Sequence, residues 1–364
     1  MTGCPARYDD ALATWVVDEP DEVRAVLLDP VAFRPDNAVL AHTALSVKAL
    51  RVLQAVGFAL PPTLANNAGP SHRPIRSAVA RLFSPARVAA VEPLMRRLMT
   101  ERVDAARAAL VTGPVDLVET IAAEPPAMAL LEMLGLRDID VPALKAWSRE
   151  SLELFWGWPD EDRQLELAHS AAEFYGWLRK RVTEAQRRPG EDLLGLLVSL
   201  GLRDEEVCAV AYFLLIAGQE TTTQLISTAF HRMIGKNVGD AGAVVEDVLR
   251  EASSVPTWRR ITGEPVTVGE VELPAGTPIL LGLTGHGGPA DLAFGLGIHR
   301  CLGAGLARLE ARVALECAAP LLAEVRAVTV DPPMIDLLSF RAQARLTVVS
   351  AITAPVTCTD TLGR

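Results

Sequence analysis

Cys301 sits in the run Phe294-Gly-Leu-Gly-Ile-His-Arg-Cys-Leu-Gly303, a glycine-rich turn that leads straight into a helical pattern. Leu302, Leu306, Leu309, Val313 and Leu315 fall mostly on one face at helical spacing. A thiol at a helix start faces unpaired backbone N–H groups and the positive end of the helix dipole, and both favour the thiolate. Gly295, Gly297 and Gly303 allow a tight turn and close approach to a flat, bulky partner. The chemistry this suits is metal ligation by a cysteinate from a protected loop. One cysteine without a CxxC companion argues against zinc or an iron–sulfur cluster, whereas a haem iron needs a single axial ligand of this kind. A buried cysteine in an ordinary loop-to-helix turn is the plainer alternative.

A second set of residues lies in Phe213-Leu-Leu-Ile-Ala-Gly-Gln-Glu-Thr-Thr-Thr-Gln-Leu-Ile226. The stretch is apolar on both sides, which predicts a buried helix. Glu220 and three consecutive threonines are costly there unless paired or functional. Gly218 weakens the helix locally and leaves room for a ligand. A polar kink satisfied by buried water is the other use of the same residues. A third set is His72 and Arg76, four apart on one helical face, with Ser71 as N-cap and Pro74 in the first turn. Two such groups can hold a carboxylate; a solvated basic face reads the same way.

The spacing Phe-x-x-Gly-x-His-x-Cys-x-Gly, filled by Phe294, Gly297, His299, Cys301 and Gly303, resembles the haem-binding signature of the cytochrome P450 family. The resemblance runs from about residue 64 to about residue 349. It implies a mainly α fold with a smaller β portion, a triangular helical prism with a long central helix and small β-sheets. It implies haem b (iron protoporphyrin IX) as cofactor, with Cys301 as the metal ligand and Phe294 and Gly303 in the loop that cradles it. His72, Arg76, Arg260 and His299 match positions that reach the haem propionates. Ala217-Gly-Gln-Glu-Thr-Thr222 is similar to the family's central-helix motif, in which an acid and the next threonine deliver protons to oxygen; those roles map onto Glu220 and Thr221. Phe213, Ile216, Ala217, Thr257 and Trp258 would line a mostly apolar substrate pocket.

The implied activity is monooxygenation. Electrons would come from a separate ferredoxin and an NAD(P)H-dependent ferredoxin reductase. The substrate, a small apolar or carrier-protein-bound molecule of specialised metabolism, would be hydroxylated, epoxidised or coupled. Anionic sulfur favours O–O cleavage over reversible O₂ binding. Arg300, Arg308 and Arg312, with Arg73 and Arg87, suggest a basic surface that would steer an acidic ferredoxin, solvated surface charge being the alternative.

Two departures stand out. The family's Glu-x-x-Arg helix pair maps onto Asp247 and Arg250, an acid one methylene short, for which Glu246, four before Arg250, can substitute. The sequence holds no Lys or Arg between Arg260 and Arg300, so the family's third partner has no match, and a compressed Leu281–Ala293 joins the sheet to the cysteine loop. These losses bear on the rigidity of the haem underside and on haem retention. They support a second reading, a haem-binding or recruitment protein of the same fold with impaired catalysis; a non-haem helical scaffold is a third.

The elements that must position these groups follow from periodicity. Helices are expected over Asp21–Leu28, Val88–Ala109, Pro142–Leu154 and Arg163–Gln186, and one from Val115 to a stop at Gly135. A hairpin is expected over Val266–Pro274, with strands at Val328–Val330 and Ala344–Val349. The 364 residues, half of them apolar, suffice for a large core and read as one domain over 1–364, with 354–364 a frayed tail. A net charge of -10 argues against nucleic acid. No leader or membrane segment is legible, and Cys4, Cys208, Cys301, Cys317 and Cys358 show no pairing rhythm. Both point to a cytoplasmic protein without a membrane partner.

Overall fold

The computed structural model describes residues 5–351, so the expected tail at 354–364 lies outside the described residues. Among them are twelve α-helices: α1 (Pro20–Leu28), α2 (Val47–Ala55), α3 (His72–Ala80), α4 (Pro85–Ala109), α5 (Glu124–Leu134), α6 (Val141–Trp156), α7 (Glu161–Arg187), α8 (Leu193–Ser199), α9 (Asp204–Ala217), α10 (Glu220–Met233), α11 (Ala241–Ala252) and α12 (Ala304–Glu324). The strands are β1 (Ala6–Asp9), β2 (Thr14–Val17), β3 (Phe33–Arg34), β4 (Val115–Asp116), β5 (Thr257–Thr262), β6 (Val266–Val268), β7 (Val271–Leu273), β8 (Pro278–Gly282), β9 (Val325–Ala327), β10 (Met334–Ile335), β11 (Ala342–Gln343) and β12 (Thr347–Ser350). The fold is mainly α with small sheets, as expected.

Local chemistry explains most boundaries. Asp140, Asp160, Asp192 and Asp240 each precede a helix and accept a backbone N–H from its first turn. Ser71 occupies the N-cap position of α3 but makes no capping bond; its hydroxyl accepts instead from Asn67 Nδ2 at 3.0 Å. The helix expected from Val115 to Gly135 is divided. Asp116 belongs to β4, and its carboxylate accepts from Val118 N and Leu346 N, which ties the segment to the β12 neighbourhood before α5 begins. Gly135 then ends α5 in the left-handed region, as a C-terminal glycine should. The strand expected at Val328–Val330 falls just before it, at β9.

The five-stranded sheet has the order β1-β2-β8-β5-β3; β2 and β8 run parallel, the other pairs antiparallel. In β5, Trp258 pairs with Leu281 and Arg260 with Ile279. Alternation therefore puts Trp258 and Arg260 on one face, with Thr257 and Arg259 on the other. Helix α12 packs on α4, α10 and α11, and a core that includes Leu306, Val313, Ala314 and Phe230 fills that junction. The helix entering from the cysteine turn is thus anchored along its length.

The central helix is interrupted. α9 ends at Ala217 and α10 begins at Glu220, with Gly218 and Gln219 forming a turn between them. Gly218 is required there: a Cβ would meet Leu214 O at 2.8 Å and the Leu130 methyls at 2.9 Å. The continuous helix predicted over 213–226 is therefore two helices, broken where the polar residues begin.

Candidate active site

The cysteine turn is built on its glycines. Gly295 and Gly297 both have φ 67°, and a Cβ on Gly297 would lie 2.9 Å from Leu27 O. Cys301 N–H donates to Phe294 O at 2.8 Å and closes the turn. Arg76 reaches across from α3 and donates to the carbonyl of Arg300. Cys301 keeps accessible surface and is among the residues that line a large cavity. Protein packed around the remainder pushes the thiol pKa up, against the pull of the Gly303 and Ala304 N–H groups and of Arg76 and Arg300. The N–H groups at the helix start do pull toward the thiolate, as expected, but desolvation outweighs them and the net shift is upward.

Above Cys301 lies a cavity with an empty volume of about 1500 Å³, its mouth included. Arg76, Arg260, His299, Phe294 and Gly303 line it, and so does Thr221. His72 does not; it stands behind His299, ring centroids 5.1 Å apart. His299 Nε2–H donates to Asn67 O at 2.8 Å, which leaves Nδ1 buried without a partner, as is His72 Nε2. Burial lowers the pKa of His72 and of Arg76, takes His299 to about 4 and Arg260 to about 10. Four groups able to carry positive charge are thus crowded together, and among the described residues no carboxylate bonds to any of them. An anion between them would restore what desolvation takes away. A planar group with carboxylates at one edge and a metal over Cys301 fits this donor set.

On the opposite wall, Thr221 Oγ1 donates to Ala217 O at 2.8 Å, which satisfies a carbonyl that the helix break sets free. Glu220, 2% exposed, points away from the cavity. It forms an ion pair with Lys145 of α6, and Arg149 Nε lies 4.0 Å from its second oxygen. Lys145 is itself 4% exposed and donates to Thr223 Oγ1 at 3.1 Å. Burial lowers the Lys145 pKa and Glu220 opposes that shift. Sequence reading missed Lys145. Its signal was a lone lysine in register with Leu144, Ser148 and Leu152 on the buried face of α6. It also missed Glu310 of α12, fully buried with neither carboxyl oxygen hydrogen-bonded. Burial pushes that carboxyl well above the usual range, opposed by the nearby Thr222 hydroxyl. An acid inside the Leu306–Val313 stripe was the visible sign.

Phe213, Ile216, Ala217 and Trp258 line the cavity as predicted, and Trp156 and Phe340 join them. Trp156 and Phe340 meet edge to face at 5.0 Å, and Trp156 stacks on Trp258 at 6.5 Å. Thr257 is not part of this wall. It sits on the other face of β5 and donates to Leu338 O at 3.0 Å.

The underside also departs from expectation. Asp247 and Arg250 pair at 2.6 Å, so the short acid reaches its partner, yet their side chains are 54% and 43% exposed. Glu246 does not substitute; it takes both forks of Arg308, Nε at 2.6 Å and Nη2 at 3.1 Å. Nor do the arginines form a free basic patch. Arg312 bonds Glu92 and Glu316, Arg87 bonds Met133 O, and Arg300 and Arg308 share Asp291. Arg73 alone of the five keeps no such partner among the described residues. A shallow hollow below the turn, lined by Arg76, Arg81, Arg300 and Cys301, is the basic surface that remains.

Fold and site together give a mainly helical protein with a large cavity that has one cysteine and several basic groups in its lining. Comparison with known proteins agrees. The chain is 31% identical over 336 residues to the cytochrome P450 monooxygenase PikC of Streptomyces venezuelae, covering 83% of this chain and 76% of that one. It is 28% identical over 361 residues to the erythromycin C-12 hydroxylase of Saccharopolyspora erythraea, covering 89% and 85%. Among solved structures it resembles cytochrome P450 CREJ in complex with (4-ethylphenyl) dihydrogen phosphate, with a TM-score of 0.87 and 27% identity over 95% of this chain and 94% of that one. No protein-family model matches the chain. The chain belongs to the cytochrome P450 family. It is a monooxygenase with haem b as its prosthetic group. No helix of the described residues is long and apolar enough to cross a membrane.

Proposed function

We propose that Cys301 ligates the haem iron, that His72, Arg76, Arg260 and His299 hold the propionate edge, and that Glu220 and Thr221 manage protons on the substrate side. The observation that carries this is the set of Arg76, Arg260 and His299 lining a cavity that also exposes Cys301, with His72 packed behind His299, no carboxylate bonded to any of the four and a ring nitrogen of each histidine buried without a partner. When bound, the haem supplies oxygen activation: one atom of O₂ enters the substrate and the other leaves as water, at the cost of two electrons and two protons. The protein's part is positional and electrostatic. Gly303 and Ala304 N–H groups share the charge on sulfur. Thr221 Oγ1 gives its proton to Ala217 O, so its lone pairs face the cavity as acceptors. On the far side of α10 from the cavity, Glu220 is held by Lys145 and lies 4.0 Å from Nε of Arg149, whose side chain is 39% exposed; protons enter from water on this side once Lys145 loosens its hold.

The substrate we infer is largely apolar, free or tethered to a carrier protein, seated against Trp156, Trp258 and Phe340 and hydroxylated, epoxidised or coupled. Electrons come from a ferredoxin and its NAD(P)H-dependent reductase in the cytoplasm, docking at the hollow that carries Arg76, Arg81 and Arg300 beneath Cys301. A second reading, haem binding with impaired catalysis, is favoured by one observation: the open Asp247–Arg250 pair on the underside. Two measurements decide. Reduced, CO-treated protein should show the red-shifted Soret band of a thiolate ligand, and Cys301→Ser should lack it; a wild-type protein without the band sinks the ligand assignment. With a surrogate ferredoxin system and a substrate found by spectral titration, NADPH consumption should yield oxygenated product; uptake of electrons with no product favours the second reading.

A further inference from the structure

The turn that carries Cys301 is rich in glycine and has little stiffness of its own. Something outside it must fix the sulfur's height and direction, and the Asp247–Arg250 pair is too far out on the exposed face of α11 to do so. Arg308, seven residues past Cys301 on α12, is placed for the task. Its guanidinium grips both oxygens of Glu246 on α11 and, through Nη2, Asp291 Oδ1 at 2.8 Å in the 3₁₀ turn Ala290–Phe294. Its Cζ lies 4.6 Å from the centre of the Phe294 ring. Phe294 O in turn accepts the Cys301 N–H. Asp291 also reaches Arg300, the residue just before the cysteine, at 3.4 Å. One planar side chain of α12 thus ties two other segments to its own helix: its fork holds Glu246 of α11, while its charge and its face meet Asp291 and Phe294 of one 3₁₀ turn. The Arg308 side chain is 26% exposed, so these contacts are partly shielded from water and salt.

We propose that Arg308 is a positioning residue for the cysteine ligand. It locks the turn to α11 and α12 through Glu246, Asp291 and Phe294, in a chain where the compressed segment before the turn carries no lysine or arginine. The proposal rests on the reading that Cys301 ligates the haem, and the wild-type spectrum tests that reading by itself.

The test uses haem-loaded protein with Arg308→Met, Arg308→Lys, Glu246→Gln and Asp291→Asn, and Asp247→Asn as the comparison. The readouts are the thiolate-type fraction of the reduced CO spectrum, the iron reduction potential, and the exchange rate of the Cys301 amide in haem-free protein. Arg308→Met should lose most of the thiolate-type band and raise amide exchange at least tenfold at unchanged far-ultraviolet dichroism. Arg308→Lys keeps the charge but not the fork and should fall in between; Glu246→Gln and Asp291→Asn should shift the same readouts less. Asp247→Asn should leave all three alone. If Arg308→Met does not fold, Arg308→Lys and Asp291→Asn carry the test. A full thiolate-type band, unshifted potential and unchanged amide exchange in both of those overturn the proposal, as does an Asp247→Asn effect as large as theirs. A wild-type protein without the band overturns it together with the ligand assignment.

Discussion

On the α10 side of the cavity, Glu220 and Lys145 form an ion pair whose side chains are 3% and 6% exposed; on the α11 side, the Asp247 and Arg250 side chains are 54% and 43% exposed. Both pairs join one acid to one base at hydrogen-bonding range, yet they live in different media. Water screens the lower pair and would solvate either partner if the other were lost. The upper pair has only protein around it, so each charge depends on the other. Geometry alone does not say what an ion pair does; its surroundings do. The proposed proton route runs through the upper pair, and the proposed lock on the cysteine turn runs through the half-buried contacts of Arg308 rather than through the lower pair.

Breaking the upper pair is the hardest test of that contrast. Lys145→Met leaves buried Glu220 with only Arg149 Nε, 4.0 Å from one oxygen, and should cost about 3–5 kcal/mol, read as a lower denaturation midpoint. Adding Glu220→Gln should restore much of it. A loss below about 1 kcal/mol for the single variant would place Glu220 in contact with solvent and erase the contrast.

Thr221→Ala leaves that pair intact and removes only the hydroxyl that bonds Ala217 O. Product formed per NAD(P)H consumed should fall roughly tenfold or more, with folding nearly unaffected. Full coupling in this variant would remove Thr221 from the proton route.

Glu310→Gln sharpens the comparison by pH. Burial raises the Glu310 pKa in the folded chain above the ordinary glutamate value of about 4.3. The folded state therefore holds its proton more tightly, and stability falls as pH climbs from the unfolded value through the raised one. The glutamine variant lacks this loss, so its melting temperature should exceed that of the parent by a margin that widens between pH 5 and pH 8. A constant margin would mean that Glu310 is solvated. Asp247→Ala sits at the far end: the exposed pair should be worth under about 1 kcal/mol, and a larger loss would show it buried in the working protein.

The cysteine turn was legible in the sequence because its signal is local: glycines at left-handed positions, a histidine and a cysteine within ten residues. Thr221 and the apolar pocket residues were legible for the same reason. Lys145 and Glu310 were not read, since what gives them meaning is a partner or a neighbouring wall far away in the chain. Thr257 was misplaced because it was assigned to the same wall as its neighbour Trp258, whereas adjacent residues of a strand face opposite sides. Arg308 read as a surface charge because its partners, Glu246 and Asp291, come from two other segments. The helix break at Gly218 was half visible: glycine and threonines marked a weak point, but only the close approach of Leu130 shows that the chain must yield there.

The aromatic wall has an optical consequence. Indole emission overlaps porphyrin absorption, and Trp156 and Trp258 stand at the edge of the cavity itself. A pigment seated there will quench them, and its departure will brighten them. The protein therefore carries its own fluorescent gauge of haem occupancy, readable without any dye.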